Sequence, residues 1–397
     1  MRVAGSHLGY CTNIHPGESW NEIRDNLRRH VPAVKRRVSP DGPFGLGLRL
    51  SAAAAEALEE PRTLQEFDDF LRDQDLYVFT INGFPYGSFH GTRVKEAVYL
   101  PDWRDEARLE YSNRLARLLA RWVPESSDDC GSISTVPGAF KANASTDAAK
   151  AAIADRLIRH AAELARIESR TGRHLVLALE PEPCCMLETI GETVDFFRSH
   201  LHGATAALRL AQLARCSVPQ AETALRRHLG VCLDLCHAAV EFEDPRDCIR
   251  RLREAGICIA KVQVTAGLRL PRVDASSVGS LREFADEVYL HQVVERGESG
   301  VRRYIDIDEA IEAGRWRDGR CEWRVHFHVP VFVEAFENFA STQGFVRESL
   351  RLHAERPLSR HLEVETYTWT VLPPQHRSLP IDDAIGRELL WVRGVLE

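Results

Sequence analysis

The chain has 397 residues, 44% of them hydrophobic and 27% charged, which is typical of a large globular protein with a buried core. Its net charge of −7 provides no basic surface for nucleic acid or for an anionic membrane. Because no apolar run approaches the roughly 20 residues of a membrane-spanning helix, and MRVAGSHLGY lacks the features of a secretion signal, we expect a cytoplasmic protein without direct membrane insertion or a nucleic-acid partner.

Nine short apolar segments predict β-strands along the chain. They are 6–11, 44–50, 76–82, 131–136, 174–180, 230–236, 258–264, 322–329 and 361–367. Apolar residues at helical spacing predict helices between strands, at 18–37, 104–123, 147–169, 188–198, 204–229 and 341–355. Strands that alternate with helices pair in parallel, and near-continuous apolar strands indicate a sheet buried on both faces. This pattern favours a single (β/α)8 TIM-barrel domain over 1–397.

One of the nine strands must be accessory, because an eight-stranded barrel needs only eight. Residues 266–320 are the expected insertion. Within them, 289–295 and 301–307 flank a Gly-Glu-Ser-Gly turn and predict a hairpin at the barrel rim.

Acidic and imidazole side chains occur where four predicted strands end. They are Glu180 and Glu182, Asp234 and His237, His326 and His328, and Glu363 and Glu365. Functional groups of α/β barrels lie at the C-terminal ends of the strands, and buried carboxylates require a metal or another cation. Each group alone could be a solvated loop or a core histidine. Together they predict a divalent-metal site, with ligands that suit Mn²⁺, Mg²⁺, Co²⁺ or Zn²⁺.

A turn-rich loop after the third strand supplies candidate ligand contacts. Its aromatic, amide and basic side chains would suit a polyol, a sugar phosphate or an aromatic ligand, and a structural lid is the alternative. The predicted substrate-binding residues are Asn82, Phe84, His90, Arg93 and Lys95 from this loop, with Glu182, His237 and His326 from the strand ends.

The strand-end segments resemble the xylose-isomerase-like barrel superfamily, which contains sugar-phosphate isomerases and epimerases and the endonuclease IV group. LALEP with Glu180, DLCH with Asp234 and VETYTW with Glu365 are similar to three of the four metal ligands of that superfamily. IAKVQVT places Gln263 where a histidine is usual, so the fourth ligand is either Gln263 or His328. The resemblance implies one bound divalent ion, which is Mn, Mg, Co or Zn.

Longer segments resemble the EboE family of metabolite traffic proteins, which is encoded in ebo gene clusters. They are LGYCTNIHPGESW, TINGFPYGSFHGTRVKEAVYLPDW, GSISTVPG, RVHFHVPVF and HLEVETYTW. This resemblance implies a role in processing or exporting a secondary-metabolite precursor, with possible partners encoded in the same cluster.

Three functions remain open from the sequence. In a metal-dependent sugar (phosphate) isomerase or epimerase, Glu180 and Glu365 would be catalytic and move a proton, and His237 would orient a substrate hydroxyl. In a phosphoester hydrolase of the endonuclease IV type, further histidines, including His90 and His328, would build a multi-zinc site. A non-catalytic metabolite-binding or trafficking barrel is the third, suggested by Gln263.

Overall fold

The structure is a computed structural model that describes residues 1–87, 95–124, 130–284, 289–336, 338–370, 372 and 379–397. The predicted site residues His90 and Arg93 lie outside the described residues.

The described strands, in chain order, are β1 (Arg2–Val3), β2 (Ser6–Tyr10), β3 (Phe44–Arg49), β4 (Leu76–Asn82), β5 (Cys130–Thr135), β6 (His174–Leu179), β7 (Leu229–Asp234), β8 (Cys258–Val264), β9 (Ala266–Leu270), β10 (Val293–Gly297), β11 (Gly300–Tyr304), β12 (Glu322–Val329), β13 (Ala340–Ser341) and β14 (His361–Val364). The described α-helices are α1 (Trp20–Val38), α2 (Ala52–Ala57), α3 (Pro61–Asp73), α4 (Glu106–Trp122), α5 (Asp147–Thr171), α6 (Ile190–Phe196), α7 (Ala204–Ala214), α8 (Val218–His228), α9 (Leu235–Val240), α10 (Pro245–Glu254), α11 (Ala275–Leu281), α12 (Ile307–Glu312), α13 (Gln343–Glu355) and α14 (Ile381–Leu396).

Eight parallel strands form a closed barrel in the order β2-β3-β4-β5-β6-β7-β8-β14. A parallel bridge between Cys11 and Gly47 closes the ring between β2 and β3, and β1 adds to β2 in the antiparallel direction. At Gly47 a Cβ atom would lie 1.4 Å from Glu363 Oε1, so only glycine leaves room for this carboxylate inside the barrel. The predicted (β/α)8 barrel is confirmed.

A second, antiparallel sheet with the order β11-β10-β12-β9-β13 is inserted between β8 and β14. The predicted rim hairpin is confirmed, as β10 and β11. The insertion extends beyond the predicted 266–320, because the segment 322–329 is β12 of this sheet and not a barrel strand. Phe327 and His328 are both almost fully buried although they point to opposite faces of β12, and such a strand cannot be distinguished from a barrel strand by its sequence.

Helices α3, α10 and α14, among others, were not predicted, and the helix predicted over 204–229 is not continuous. There the single predicted helix is divided into α7 and α8, because Arg215 adopts a left-handed conformation with φ of 53°. Ser217 and Gln220 then form a capping box at the start of α8. Across the described helices, none is long and apolar enough to cross a membrane.

Candidate metal centre

Three carboxylates converge at the C-terminal end of the barrel. Glu180 follows β6, Asp234 ends β7 and Glu365 follows β14, and each offers an oxygen within 4.8 Å of the other two. All three side chains are buried, with 2–5% of their surface exposed. The fold thus brings together the three acids that the sequence predicted as the core of a metal site, because the ends of parallel barrel strands meet at one rim.

The charge of this group is poorly compensated. Burial, then the charges of Glu365 and Asp234, raises the pKa of Glu180 well above its ordinary range. Burial, then the charges of Asp234 and Glu363, raises the pKa of Glu365 to about 8. Lys261 opposes both shifts, but its Nζ already pairs with Glu363 Oε2 at 2.5 Å. A divalent cation would neutralise the remaining charge.

Several polar atoms of the centre have no hydrogen-bond partner among the described residues. They are Glu180 Oε2, Asp234 Oδ2 and both amide atoms of Gln263. On β8, Gln263 lies opposite Asp234 of β7 and Glu363 of β14. Its side chain points to the interior of the barrel, as does that of Lys261 two residues earlier. An unsatisfied buried polar atom costs about 1–3 kcal/mol, and a bound cation would offset this cost for the oxygens. The donor set therefore fits a divalent metal, with the Gln263 amide oxygen available as a fourth ligand.

Local hydrogen bonds aim one oxygen of Asp234 into the centre. Asp234 caps the N-terminus of α9, where its Oδ1 accepts from the backbone N–H groups of Cys236 at 2.6 Å and His237 at 3.1 Å. The Thr265 hydroxyl donates to the same oxygen at 2.6 Å. Because Oδ1 is saturated, Oδ2 is left to face the other acids.

Two asparagine amides hold Glu365. Its Oε1 accepts from Asn13 Nδ2 at 2.6 Å and from Asn82 Nδ2 at 2.7 Å. Asn82 was predicted as a substrate contact. It lines the pocket, but its amide nitrogen is committed to this carboxylate. The prediction missed Asn13, because one asparagine in an irregular loop carries no spacing signal.

The high pKa of Glu365 makes the stability of the metal-free protein pH-dependent. The folded state keeps a proton on Glu365 that the unfolded chain releases at an ordinary pKa of 4.5. The contribution of Glu365 to the free energy of unfolding is therefore complete below pH 4.5, and it is lost as the pH rises through about 8. Between pH 6.5 and 8.5, wild type should lose about 2 kcal/mol of unfolding free energy more than Glu365→Gln. Urea unfolding in chelator across this range measures the difference, and parallel pH profiles would refute it.

Three histidines form a second group beside the carboxylates. His326 Nε2 lies 3.1 Å from His237 Nε2 and 3.3 Å from His328 Nε2. Burial lowers the pKa of His328 to about 4, and burial with the neighbouring imidazoles lowers that of His326 well below its usual range. His328 groups with Asp234 and His237, and Asp234 also groups with Glu180 and Glu365, so the two sets share this residue.

A pocket opens onto both groups, with Glu180 and Glu365 of the carboxylates and all three histidines in its lining. The predicted residues that line it are Asn82, Phe84, Lys95, Glu180, Glu182, His237, His326, His328 and Glu365. Its remaining lining consists largely of aromatic and apolar side chains from separate loops. The lining residues that sequence reasoning missed are Asn13, Pro85, Val98, Tyr99, Tyr289, Leu290 and Tyr367.

Two predicted substrate contacts are bound to protein neighbours. Glu182 Oε1 accepts from Tyr99 Oη at 2.6 Å and from Gln292 Nε2 at 3.3 Å. Lys95 Nζ pairs with Asp306 Oδ2 at 2.6 Å. A substrate phosphate that binds Lys95 would therefore compete with Asp306.

Comparison with solved structures identifies the fold. The chain is similar to a xylose isomerase-like TIM barrel protein from Mycobacterium smegmatis in complex with magnesium, with a TM-score of 0.51 and 11% identity, over 100% of this chain and 98% of that chain. The chain has the fold of the xylose isomerase-like TIM barrels.

Further structures resemble this xylose isomerase-like barrel at lower TM-scores. One is the probable 3-DHS dehydratase AsbF, involved in petrobactin synthesis, from Bacillus anthracis, with a TM-score of 0.45 and 15% identity over 97% of both chains. Another is the IOLI protein with a bound zinc atom, with a TM-score of 0.45 and 10% identity over 98% of both chains. No protein-family model and no curated protein matches the sequence.

Proposed function

We propose that this barrel is a divalent-metal-dependent isomerase or epimerase that acts on a small polyhydroxylated substrate, such as a sugar or sugar phosphate. The convergence of Glu180, Asp234 and Glu365, with unpartnered oxygens on the first two, carries this proposal. These carboxylates and the Gln263 amide would hold one ion of Mn, Mg, Co or Zn. The pocket over these carboxylates is lined by aromatic and apolar side chains with a few polar groups, which is the composition of a small-molecule site.

In the proposed reaction, different residues of the pocket would bind the metal, transfer the proton and shield the substrate from water. A divalent ion held by the carboxylates would polarise a substrate carbonyl and so acidify the adjacent C–H group. Glu180 and Glu365 stand on strands separated by β7 and β8, so they can remove and return a proton from two sides of the substrate. Phe84 and Tyr367 line the pocket, where their rings would shield a bound substrate from water.

Solvent deuterium exchange tests this proposal directly. We expect the Mn²⁺-loaded protein in D₂O to place deuterium next to the carbonyl of at least one member of a panel of ketoses, aldoses and their phosphates. Glu180→Gln should slow this exchange by about 10²-fold or more, because it removes a proton-transfer group. Glu192→Gln is the matched control, since Glu192 caps α6 outside this pocket. Metal-loaded protein that exchanges no deuterium into any panel member would refute the proposal.

The cellular role is a further part of the proposal. We propose that the substrate is a secondary-metabolite precursor, and that the protein processes it for export from the cytoplasm with partners encoded in the same gene cluster. The resemblance of five segments to the EboE family supports this role. Complementation with Glu365→Gln tests whether catalysis is needed. Export that survives this substitution would favour a non-catalytic binding barrel instead.

Metal-dependent phosphoester hydrolysis is the second candidate. The observation that favours it is the histidine group, because it places imidazole ligands next to the carboxylates. Turnover of bis(p-nitrophenyl) phosphate by the metal-loaded protein, together with an absence of deuterium exchange, would support hydrolysis over isomerisation. DNA is not the expected substrate, because the net charge is −7.

A further inference from the structure

The histidine group is held in one tautomeric state by its outer hydrogen bonds. Each Nδ1 atom lies within hydrogen-bond distance of a carbonyl oxygen, which can only accept a proton. The three pairs are His237 with Pro181 O at 2.8 Å, His326 with Gln292 Oε1 at 2.8 Å, and His328 with Glu365 O at 2.6 Å. Each neutral ring therefore carries its hydrogen on Nδ1 and a lone pair on Nε2.

The orientation of the Gln292 amide supports this assignment. Gln292 Nε2 donates to Tyr99 Oη at 2.8 Å and faces Pro183 O at 3.3 Å. Both partners are oxygens that accept a proton, since the Tyr99 hydroxyl itself donates to Glu182. The amide oxygen of Gln292 is therefore the end that faces His326.

The three lone pairs point at one another. The Nε2 atoms are 3.1 Å and 3.3 Å apart, and none of them carries a hydrogen that could bridge the gap. The lone pairs therefore repel one another unless a cation lies between them. Two nitrogens bound to a tetrahedral Zn²⁺ at about 2.05 Å are about 3.3 Å apart. Both observed separations are therefore those of two ligands on one metal ion, and His326 is common to the two pairs.

A fourth ligand is available at the same point. Asp234 Oδ2 lies 3.8 Å from His237 Nε2, and it is a buried atom without a hydrogen-bond partner among the described residues. The Asp234 side chain is fully enclosed. Asp234 also belongs to the carboxylate group, so its side chain is shared by the two groups.

We propose that His237, His326 and His328 form a second metal site, suited to Zn²⁺ or a similar transition metal, and that Asp234 links this site to the carboxylate centre. Three imidazoles and one carboxylate are a ligand set that Zn²⁺ favours. The carbonyl groups behind the rings are the outer partners that orient metal-bound histidines. This site does not depend on the reaction proposed above.

The inserted sheet explains how the site arises. His326 and His328 alternate on β12, so both rings reach the same face. Gln292 immediately precedes β10, the strand that pairs with β12. The insertion therefore supplies two of the histidines and one of their outer partners, whereas His237 and Asp234 come from the barrel.

Metal titration of the full-length protein tests this site. Zn²⁺ equivalents are counted by elemental analysis after reconstitution, and Co²⁺ is used as a visible-absorbing probe. We expect His326→Gln to bind one equivalent fewer than wild type and to lose the intense visible bands of tetrahedral, nitrogen-ligated Co²⁺. His160→Gln is the matched control, since His160 is equally buried but bonds to Asn113 away from the site. It should keep the wild-type stoichiometry and spectrum.

A second variant distinguishes loss of the metal site from misfolding of the His326→Gln protein. Gln292→Leu keeps all three histidines and removes the acceptor behind His326, together with the hydrogen bonds from Gln292 Nε2 to Tyr99 and Glu182. We expect it to weaken Zn²⁺ binding at this site by about 10–100-fold. Unchanged stoichiometry and affinity in both variants would overturn the proposal. Glu180→Gln separates it from the carboxylate centre, because this change should leave the Co²⁺ bands in place even if the proposed isomerase activity proves absent.

Discussion

Replacing Asp234 with Asn is expected to abolish metal-dependent stabilisation of this barrel. Wild type should gain about 3 kcal/mol of unfolding free energy at a metal concentration 100-fold above Kd, and the variant should gain almost none. The reason is geometric, because Asp234 belongs both to the carboxylate group and to the histidine group. Thermal or urea unfolding with and without Mn²⁺ or Zn²⁺ measures the difference.

The metal-free form of Asp234→Asn separates ligand loss from misfolding. Asn can still accept hydrogen bonds at the start of α9, where it is nearly as good a cap as Asp. Removing one negative charge also relieves the repulsion that raises the pKa values of Glu180 and Glu365. The metal-free variant should therefore be at least as stable as metal-free wild type.

Asp244→Asn is the matched control for this experiment. Asp244 caps the N-terminus of α10 by accepting from the Asp247 backbone N–H at 3.0 Å, and it belongs to neither candidate ligand group. It should keep the full metal-dependent gain. Equal gains in Asp234→Asn and Asp244→Asn would mean that Asp234 binds no metal.

The carboxylate part of the centre could be predicted because it follows from local rules. The strand that ends in Glu180 and the strand that ends in Asp234 are short apolar runs, and parallel barrel strands present their C-terminal ends at one rim. Glu365 follows the last strand in the same way. No contact between distant segments had to be known to place these three acids together.

The rest of the centre depends on contacts that a single sequence does not encode locally. The segment with His326 and His328 looks like a barrel strand because β12 is buried on both faces, and only its pairing with β9 and β10 shows otherwise. Asn13 reaches Glu365 across 352 residues of sequence. Neither position has a periodicity or a motif that would reveal its partner.

The ion pair inside the barrel was missed for the same reason. Lys261 and Glu363 lie on neighbouring strands, β8 and β14. Glu363 was grouped with Glu365 as a strand-end acid, but its carboxylate pairs with Lys261 inside the barrel. Their pairing places a positive charge inside the barrel near the carboxylates, where it lowers the pKa values of both Glu180 and Glu365. Lys261 therefore favours the ionised form of the carboxylates in the candidate metal centre.

Replacing Lys261 with Met should consequently have a large effect on the stability of the metal-free protein. Both side chains of its ion pair are fully buried, so the substitution leaves Glu363 as an uncompensated charge. The expected cost is about 3–5 kcal/mol, and the double variant Lys261→Met with Glu363→Gln should recover most of it. Lys35→Met is the matched control, because its partner Asp75 is largely exposed and such pairs contribute about 1 kcal/mol or less.

The same substitution should also change metal binding. Without Lys261, the pKa values of Glu180 and Glu365 rise further, because its charge opposes the upward shift of both. Protons then compete with the metal over a higher pH range, whereas the deprotonated site, which has lost a neighbouring positive charge, should bind the cation more tightly. The pH profile of Kd should therefore move upward and reach a lower Kd at pH 9. Metal titrations of Lys261→Met and of the Lys35→Met control between pH 6 and 9 measure this displacement. Coincident pH profiles would show that Lys261 contributes to the stability of the barrel but not to the electrostatics of the centre.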